Sequence, residues 1–190
     1  MKKIFLGIFT LMILSAGLVF AGTKQTHNFK VSLKNKNILV AYYSLSGNTK
    51  YVAERLHEQV GGDIFEITTL KKYPSEKRLL NEIVKYQNEN NILPELKENL
   101  DISKYDIIFI GTPVWFGTVA QPAKTFLCEH NFKNKIIVPF VTYGGGGGYD
   151  IFVEMDDISN GKVYNMPLVV QNKGDNCLDI KIKDWLKSLK

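Results

Sequence analysis

The sequence predicts one α/β domain built on a parallel sheet. Three observations carry that expectation. Residues 37–43 and 106–111 are β-rich runs with at most one charge, helical apolar patterns separate such runs, and glycine- or proline-containing loops follow them. The chain has 190 residues, 45% hydrophobic and 23% charged, enough for one sizeable core. Those figures exclude a disordered tail and a collagen-like fibre, and two cysteines exclude a disulfide-stapled miniprotein.

The first segment reads as an address. Met1, Lys2 and Lys3 form a positive head, and residues 4–20 are apolar apart from Gly7, Thr10, Ser15 and Gly17. Val19, Phe20 and Ala21 then form a small-residue cleavage site with Gly22 as the first mature residue. Residues 1–21 are therefore expected to be a Sec-type signal peptide, with the protein exported to the periplasm or beyond and no stable membrane span left after cleavage. The alternative is an uncleaved N-terminal anchor, although the stretch is at the short limit for a spanning helix. No cysteine near residue 21 and no twin arginine point to lipidation or the Tat route. Residues 22–36 are expected to be a polar leader, and residues 37–190 the folded domain.

Net charge is +5, but Lys2 and Lys3 leave with the signal. In the mature chain 22 basic residues face 19 acidic ones, a surplus of +3 with no arginine-rich or aromatic-basic stripe. Nucleic-acid binding has little support.

The domain's elements follow in order. Residues 37–43 read as a central strand buried on both faces. Val52, Ala53, Leu56 and Val60 mark one face of the next helix, which Gly61 and Gly62 stop. Residues 63–68 alternate like a strand near the sheet edge. Leu79, Leu80, Ile83 and Val84 predict a helix facing the sheet within the polar stretch 71–104. Residues 106–111 form the clearest buried strand, followed by a loop at 112–118 and a helix from about Pro122 with Ala123, Phe126 and Leu127 inward. Residues 135–142 give a fourth strand. A short helix at 151–158, a strand at 163–170 and a last helix from about Leu178 complete the pattern.

Ligands of open parallel sheets bind at the carboxyl ends of the strands, where winding direction reverses. Three loops would crowd that point. Ser44, Ser46 and Thr49 offer hydroxyls, Gly47 permits close backbone approach, and Asn48 opens a helix whose amides point outward. This is a phosphate cradle without lysine or arginine, or else an ordinary capped turn. It is neither a G-x-x-x-x-G-K-[ST] loop nor a G-x-S-x-G elbow. Pro113, Val114, Trp115, Phe116 and Gly117 hold two aromatics beyond a buried strand, as the wall of a flat-ligand site or as a plug on the sheet end. Thr142 and Tyr143 lead into Gly144, Gly145 and three more glycines, a rim open to a ligand's polar edge or a mobile surface loop. The combination draws a planar ring joined to one phosphate, and flavin mononucleotide (FMN) fits it.

The run Tyr42-Tyr43-Ser44-Leu45-Ser46-Gly47-Asn48-Thr49 resembles the phosphate loop of the flavodoxin-like family. Residues 111–118, Pro122 and Phe126-Leu127 resemble the aromatic loop and next helix of its short FMN-binding branch, and Pro94-Glu95-Leu96, Val138-Pro139-Phe140 and Thr142-Tyr143-Gly144-Gly145 fall in the same order. The resemblance covers residues 37–187. It implies a three-layer αβα flavodoxin-like fold, a five-stranded parallel sheet of order 2-1-3-4-5, and FMN at the switch point. Ser44, Ser46, Gly47, Asn48 and Thr49 would hold the phosphate. Pro113, Val114, Trp115, Phe116 and Gly117 would face the ring, with Thr142, Tyr143, Gly144 and Gly145 at its other edge. The chain departs from the branch at Phe116, often a tryptophan or tyrosine, and in the uninterrupted glycine run, where a serine is common.

The resemblance implies electron transfer through bound FMN, with no catalytic side chain. Alternatives are an FMN-dependent NAD(P)H:acceptor oxidoreductase of quinone type and a flavin-free binding module of the same fold. The expected partner is a redox protein or a small-molecule acceptor. His27, His57 and His130 lack metal-ligand spacing and are expected at the surface. Cys128 and Cys177 are expected on opposite faces of the sheet and unbridged. Glu154, Asp156 and Asp157 are expected on a solvated helix face.

Overall fold

The structure is a computed structural model that describes residues 29–145 and 150–190. The signal-peptide assignment and glycines 146–148 lie outside the described residues. Strand β1 (Ile38–Tyr42) carries no charge, and all five of its residues are buried. Its odd and even positions pack into different cores. Leu39, Ala41 and Tyr43 join one, while Ile38, Val40 and Tyr42 join the other. A strand covered on both faces by helices loses the usual polar alternation, which is why the run reads as continuously apolar.

Helix α1 (Asn48–Val60) follows, then β2 (Asp63–Glu66), α2 (Lys77–Asn90), β3 (Ile107–Trp115), β4 (Thr118–Val119), α3 (Gln121–Glu129) and β5 (Ile136–Tyr143). The chain closes with α4 (Ile151–Ile158), β6 (Lys162–Val163), β7 (Leu168–Gln171) and α5 (Leu178–Ser188). The sheet order is β2-β1-β3-β5-β6, with β7 also on β5 and every one of these pairings parallel. Taking β6 and β7 as one interrupted fifth strand and β4 as an appendage of β3, this is the expected order 2-1-3-4-5. The α/β fold is flavodoxin-like.

The expected strand at 163–170 is split, and β5 supplies the reason. Ile137 O accepts from Tyr164 N, so Pro139, two residues on, faces the same neighbour without an N–H to donate. There the neighbour detours: two residues of β5 separate the paired positions Ile137 and Phe140, but four separate Val163 and Leu168.

Helix α1 touches α5, while α3 touches α2 and α4. That division places Cys128 in α3 and Cys177 before α5 on opposite sides, and both thiols are free. Two expectations need correction. On α2 only Val84 is buried, while Leu79 and Ile83 are exposed, because the helix lies beside the 70–73 and 92–95 segments rather than flat on the sheet. Glu154 does not sit on a solvated face: it accepts from Val119 N at 2.7 Å and pairs with Lys124 at 2.6 Å, tying α4 to β4 and α3. Among residues 22–36, Val31 is fully buried and bonds Leu189 O, with Phe29 and Leu33 packed on the same core. No helix among the described residues is long and apolar enough to cross a membrane.

Candidate functional site

The parallel register brings the three loops together. Tyr42 lies opposite Gly111, and Pro113 opposite Thr142, so the loops after β1, β3 and β5 leave the sheet side by side at its carboxyl end. Thr49 and Thr142, both buried, share a 2.8 Å hydroxyl–hydroxyl hydrogen bond that joins the start of α1 to the end of β5.

The first loop has unmet hydrogen-bonding capacity. Ser44 Oγ is buried and has no hydrogen-bond partner among the described residues. Gly47, the residue before α1, sits at φ 86°, a left-handed conformation that glycine adopts without steric cost, and it places no side-chain cap on the helix. The first turn of α1 also contains no acidic residue. Uncapped amides at the positive end of a helix and an orphaned hydroxyl are what a phosphate monoester takes up. No cation is needed: Lys50, the nearest in sequence, bonds Glu66 at 3.2 Å. Ser46 and Gly47 are exposed, and Ser44 and Asn48 half-buried.

The segment after β3 is a hairpin rather than the expected open loop. Trp115 pairs with Thr118, and Phe116 and Gly117 form the two-residue turn at φ 51° and 79°. Positive φ at both central positions is the pattern of a type I′ hairpin turn. Thr112 braces its base, its Oγ1 accepting from Ala120 N and donating to Pro113 O. Pro113, Val114 and Trp115 are half-buried, while Phe116 is 59% exposed at the tip.

Two residues of the aromatic wall escape sequence reasoning. Tyr43 and Tyr73 meet Trp115 edge to face, with ring centroids 5.4 and 5.1 Å away. Such pairs are worth about 0.5–1.5 kcal/mol beyond the area they bury. Burial pushes the Tyr43 hydroxyl well above its ordinary value, with Tyr73 adding to the shift, and burial raises Tyr73 as well. Both stay neutral at physiological pH. Tyr43 lies within the phosphate-loop run without an aromatic role assigned to it, and Tyr73 stands 42 residues from Trp115 with no local signal to join them.

At the far edge Tyr143 is half-buried and Gly144 and Gly145 are exposed. The loop after β7 also reaches this edge: Asn172 N bonds Tyr143 O at 2.8 Å, and Lys173 Nζ lies 5.7 Å from the Tyr51 ring centroid. Its signal was the turn-forming Asn172-Lys173-Gly174. His57 and His130 lie apart from the site, bonded to the carbonyls of Gly62, and of Phe126 and Leu100. The site residues thus offer amide and hydroxyl donors for a phosphate, a neutral aromatic wall for a flat ring and a glycine edge.

The family model described as Flavodoxin matches residues 37–187. A candidate flavoprotein from Bacteroides eggerthii DSM 20697 is 30% identical, with a TM-score of 0.69 over 82% of this chain and 98% of its own. A flavoprotein from Lactobacillus acidophilus NCFM, solved in complex with FMN, is 24% identical, with a TM-score of 0.61 over 79% and 98% of the two chains. Oxidised flavodoxin 2 from Bacillus cereus shares the fold at 16% identity, with a TM-score of 0.51 over 80% and 97%. The chain belongs to the flavodoxin family.

Proposed function

We propose that this chain holds FMN across its three carboxyl-end loops and serves as an exported electron carrier between a redox protein or small-molecule donor and an acceptor. The observation that carries the reading is Ser44 Oγ, buried and without a partner among the described residues, in the loop that leads into the start of α1. Ser44, Ser46, Gly47, Asn48 and Thr49 would take the phosphate through hydroxyls and amides. Pro113, Val114, Trp115, Phe116 and Gly117 would wall the ring and exclude water from one side, with Thr142, Tyr143, Gly144 and Gly145 along its edge. FMN, when bound, supplies one- and two-electron chemistry.

None of these residues is a carboxylate, histidine or lysine, so none of them is set to move a proton near neutral pH. The protein part of such a site binds, orients and shields. Residues 1–21 would direct export, with FMN loaded outside the cytoplasm. The test is anaerobic spectroscopy of the purified chain after adding FMN. One bound FMN, reduced by dithionite and unaffected by NADH or NADPH, is expected. Rapid bleaching by either nucleotide would instead identify an NAD(P)H:acceptor oxidoreductase, and failure to retain FMN would overturn the reading.

A further inference from the structure

A second cavity lies behind the aromatic wall. Its volume is about 470 Å³, within the range of small-molecule sites. Leu70 and Tyr73 from the β2–α2 connection, Ile83 from α2, and Ile92 and Pro94 beyond α2 supply its apolar lining. These segments are fixed to one another. Leu70 N bonds Glu95 O and Lys97 N bonds Thr68 O, both at 2.9 Å, around an antiparallel bridge between Thr69 and Leu96. Thr125 Oγ1 donates to Pro94 O from α3, and the Tyr73 hydroxyl donates to Gln87 Oε1 at 2.7 Å.

The apolar lining is open to solvent: Leu70 is 57%, Ile83 39% and Ile92 38% exposed. Its polar groups favour one sign of charge. Lys71 and Lys72 make no ion pair among the described residues, and Gln87 Nε2 has no acceptor there. Glu95 is the one carboxylate in the lining, so the balance is one positive charge.

We propose that this cavity is a binding site for a small acid that carries a planar apolar ring, separate from the three-loop site. The ring would lie on Ile83, Ile92 and Tyr73, and the anionic group would meet Lys71, Lys72 and the Gln87 amide. Tyr73 is the wall common to both sites, because its ring also meets Trp115. The proposal does not rest on the flavin reading.

The probe is 1-anilinonaphthalene-8-sulfonate, an apolar ring system with one anionic group that fluoresces when sheltered from water. N-phenyl-1-naphthylamine, of similar shape without the sulfonate, separates charge from apolar contact. Both are titrated against the folded full chain, with and without FMN. One saturable sulfonate site that FMN does not displace is expected. Changing Lys71→Gln and Lys72→Gln together should weaken the sulfonate at least tenfold and the neutral analogue less than twofold. Ile83→Glu should weaken both at least tenfold and leave FMN binding unchanged. The proposal is overturned if FMN displaces the probe, if the signal never saturates, or if Ile83→Glu changes nothing. A concentration-dependent dimer that Ile83→Glu abolishes would also overturn it, by making the cavity a contact between two copies. Failure to bind FMN alone would count against the carrier function and leave this site standing.

Discussion

Replacing Ser44 with alanine should strengthen the apoprotein and weaken its hold on FMN. Ser44 Oγ is buried without a partner among the described residues, and an unpaired buried polar group costs about 1–3 kcal/mol. Alanine removes that group and keeps the carbon framework of the loop. The apo fold should gain about 1 kcal/mol, the low end of that range. With a slope of about 1–3 kcal/mol per molar urea, the unfolding midpoint should rise by about 0.3–1 M. The effect on FMN has the opposite sign. A hydrogen bond to a charged group is worth about 1.5–3 kcal/mol, so losing the Ser44 donor should raise Kd about 10- to 150-fold. Tryptophan fluorescence in urea reads the first effect, and quenching of FMN fluorescence reads the second. A destabilised apoprotein with unchanged FMN affinity would refute the reasoning, because Ser44 would then be an ordinary structural hydroxyl.

Thr142→Val should cost the apoprotein about 1–3 kcal/mol by leaving Thr49 Oγ1 buried and unpaired, and a double change with Thr49→Val should recover part of it; urea midpoints of the four proteins measure the coupling. Phe116→Asn should stabilise the apoprotein by about 1 kcal/mol, since asparagine tolerates the left-handed conformation better, while FMN affinity falls with the lost ring. Arg55 holds the Asp179 carboxyl below its ordinary value of 3.8, chiefly through its hydrogen bonds. A depressed folded-state value means the stabilisation is present above the unfolded value and is lost as pH falls through the folded one. Asp179→Asn should therefore lower stability at pH 6 and flatten the decline below about pH 4, as read from urea midpoints across that range.

The strands that build the site were legible because both faces of the sheet are covered. Ile38 to Tyr42 and Ile107 to Ile110 are all buried, and their continuous apolarity survives only in such a place. The first loop was legible as a strand-to-helix turn rich in hydroxyls and glycine, a composition that an ordinary helix cap shares, and its order with the other two loops is what singled it out. The hairpin at Trp115–Thr118 was not, because its turn is Phe116-Gly117 rather than the Asn-Gly or Asp-Gly that marks a type I′ turn. The split fifth strand was hidden by a proline on its neighbour, β5, which a linear reading does not pair with it. Phe29, Val31 and Leu33 alternate at strand period within an otherwise polar leader, and that spacing is the sequence signal of their burial against the core. The Tyr73–Trp115 contact depends on where the β2–α2 connection passes, which only tertiary packing decides.

Phe116 is where the competing demands on this chain meet. Five non-glycine residues among those described have positive φ, and four of them are asparagines: Asn35, Asn91, Asn134 and Asn172. Asparagine is the expected occupant, since its short polar side chain tolerates the left-handed region. Where folding alone decides, this chain uses it. Phe116 breaks that usage and also leaves a large apolar ring 59% exposed, so the apo fold bears two costs at one residue. Ser44 bears another, a buried hydroxyl without a partner among the described residues, in the loop that leads into α1. These features lie at the carboxyl ends of adjacent strands, β1 and β3, and the asparagine turn at Asn172 reaches the same edge. A bound group that accepts hydrogen bonds at Ser44 and α1 and covers the ring at Phe116 relieves all of them together, and a phosphate joined to a flat ring is the smallest chemistry that does so.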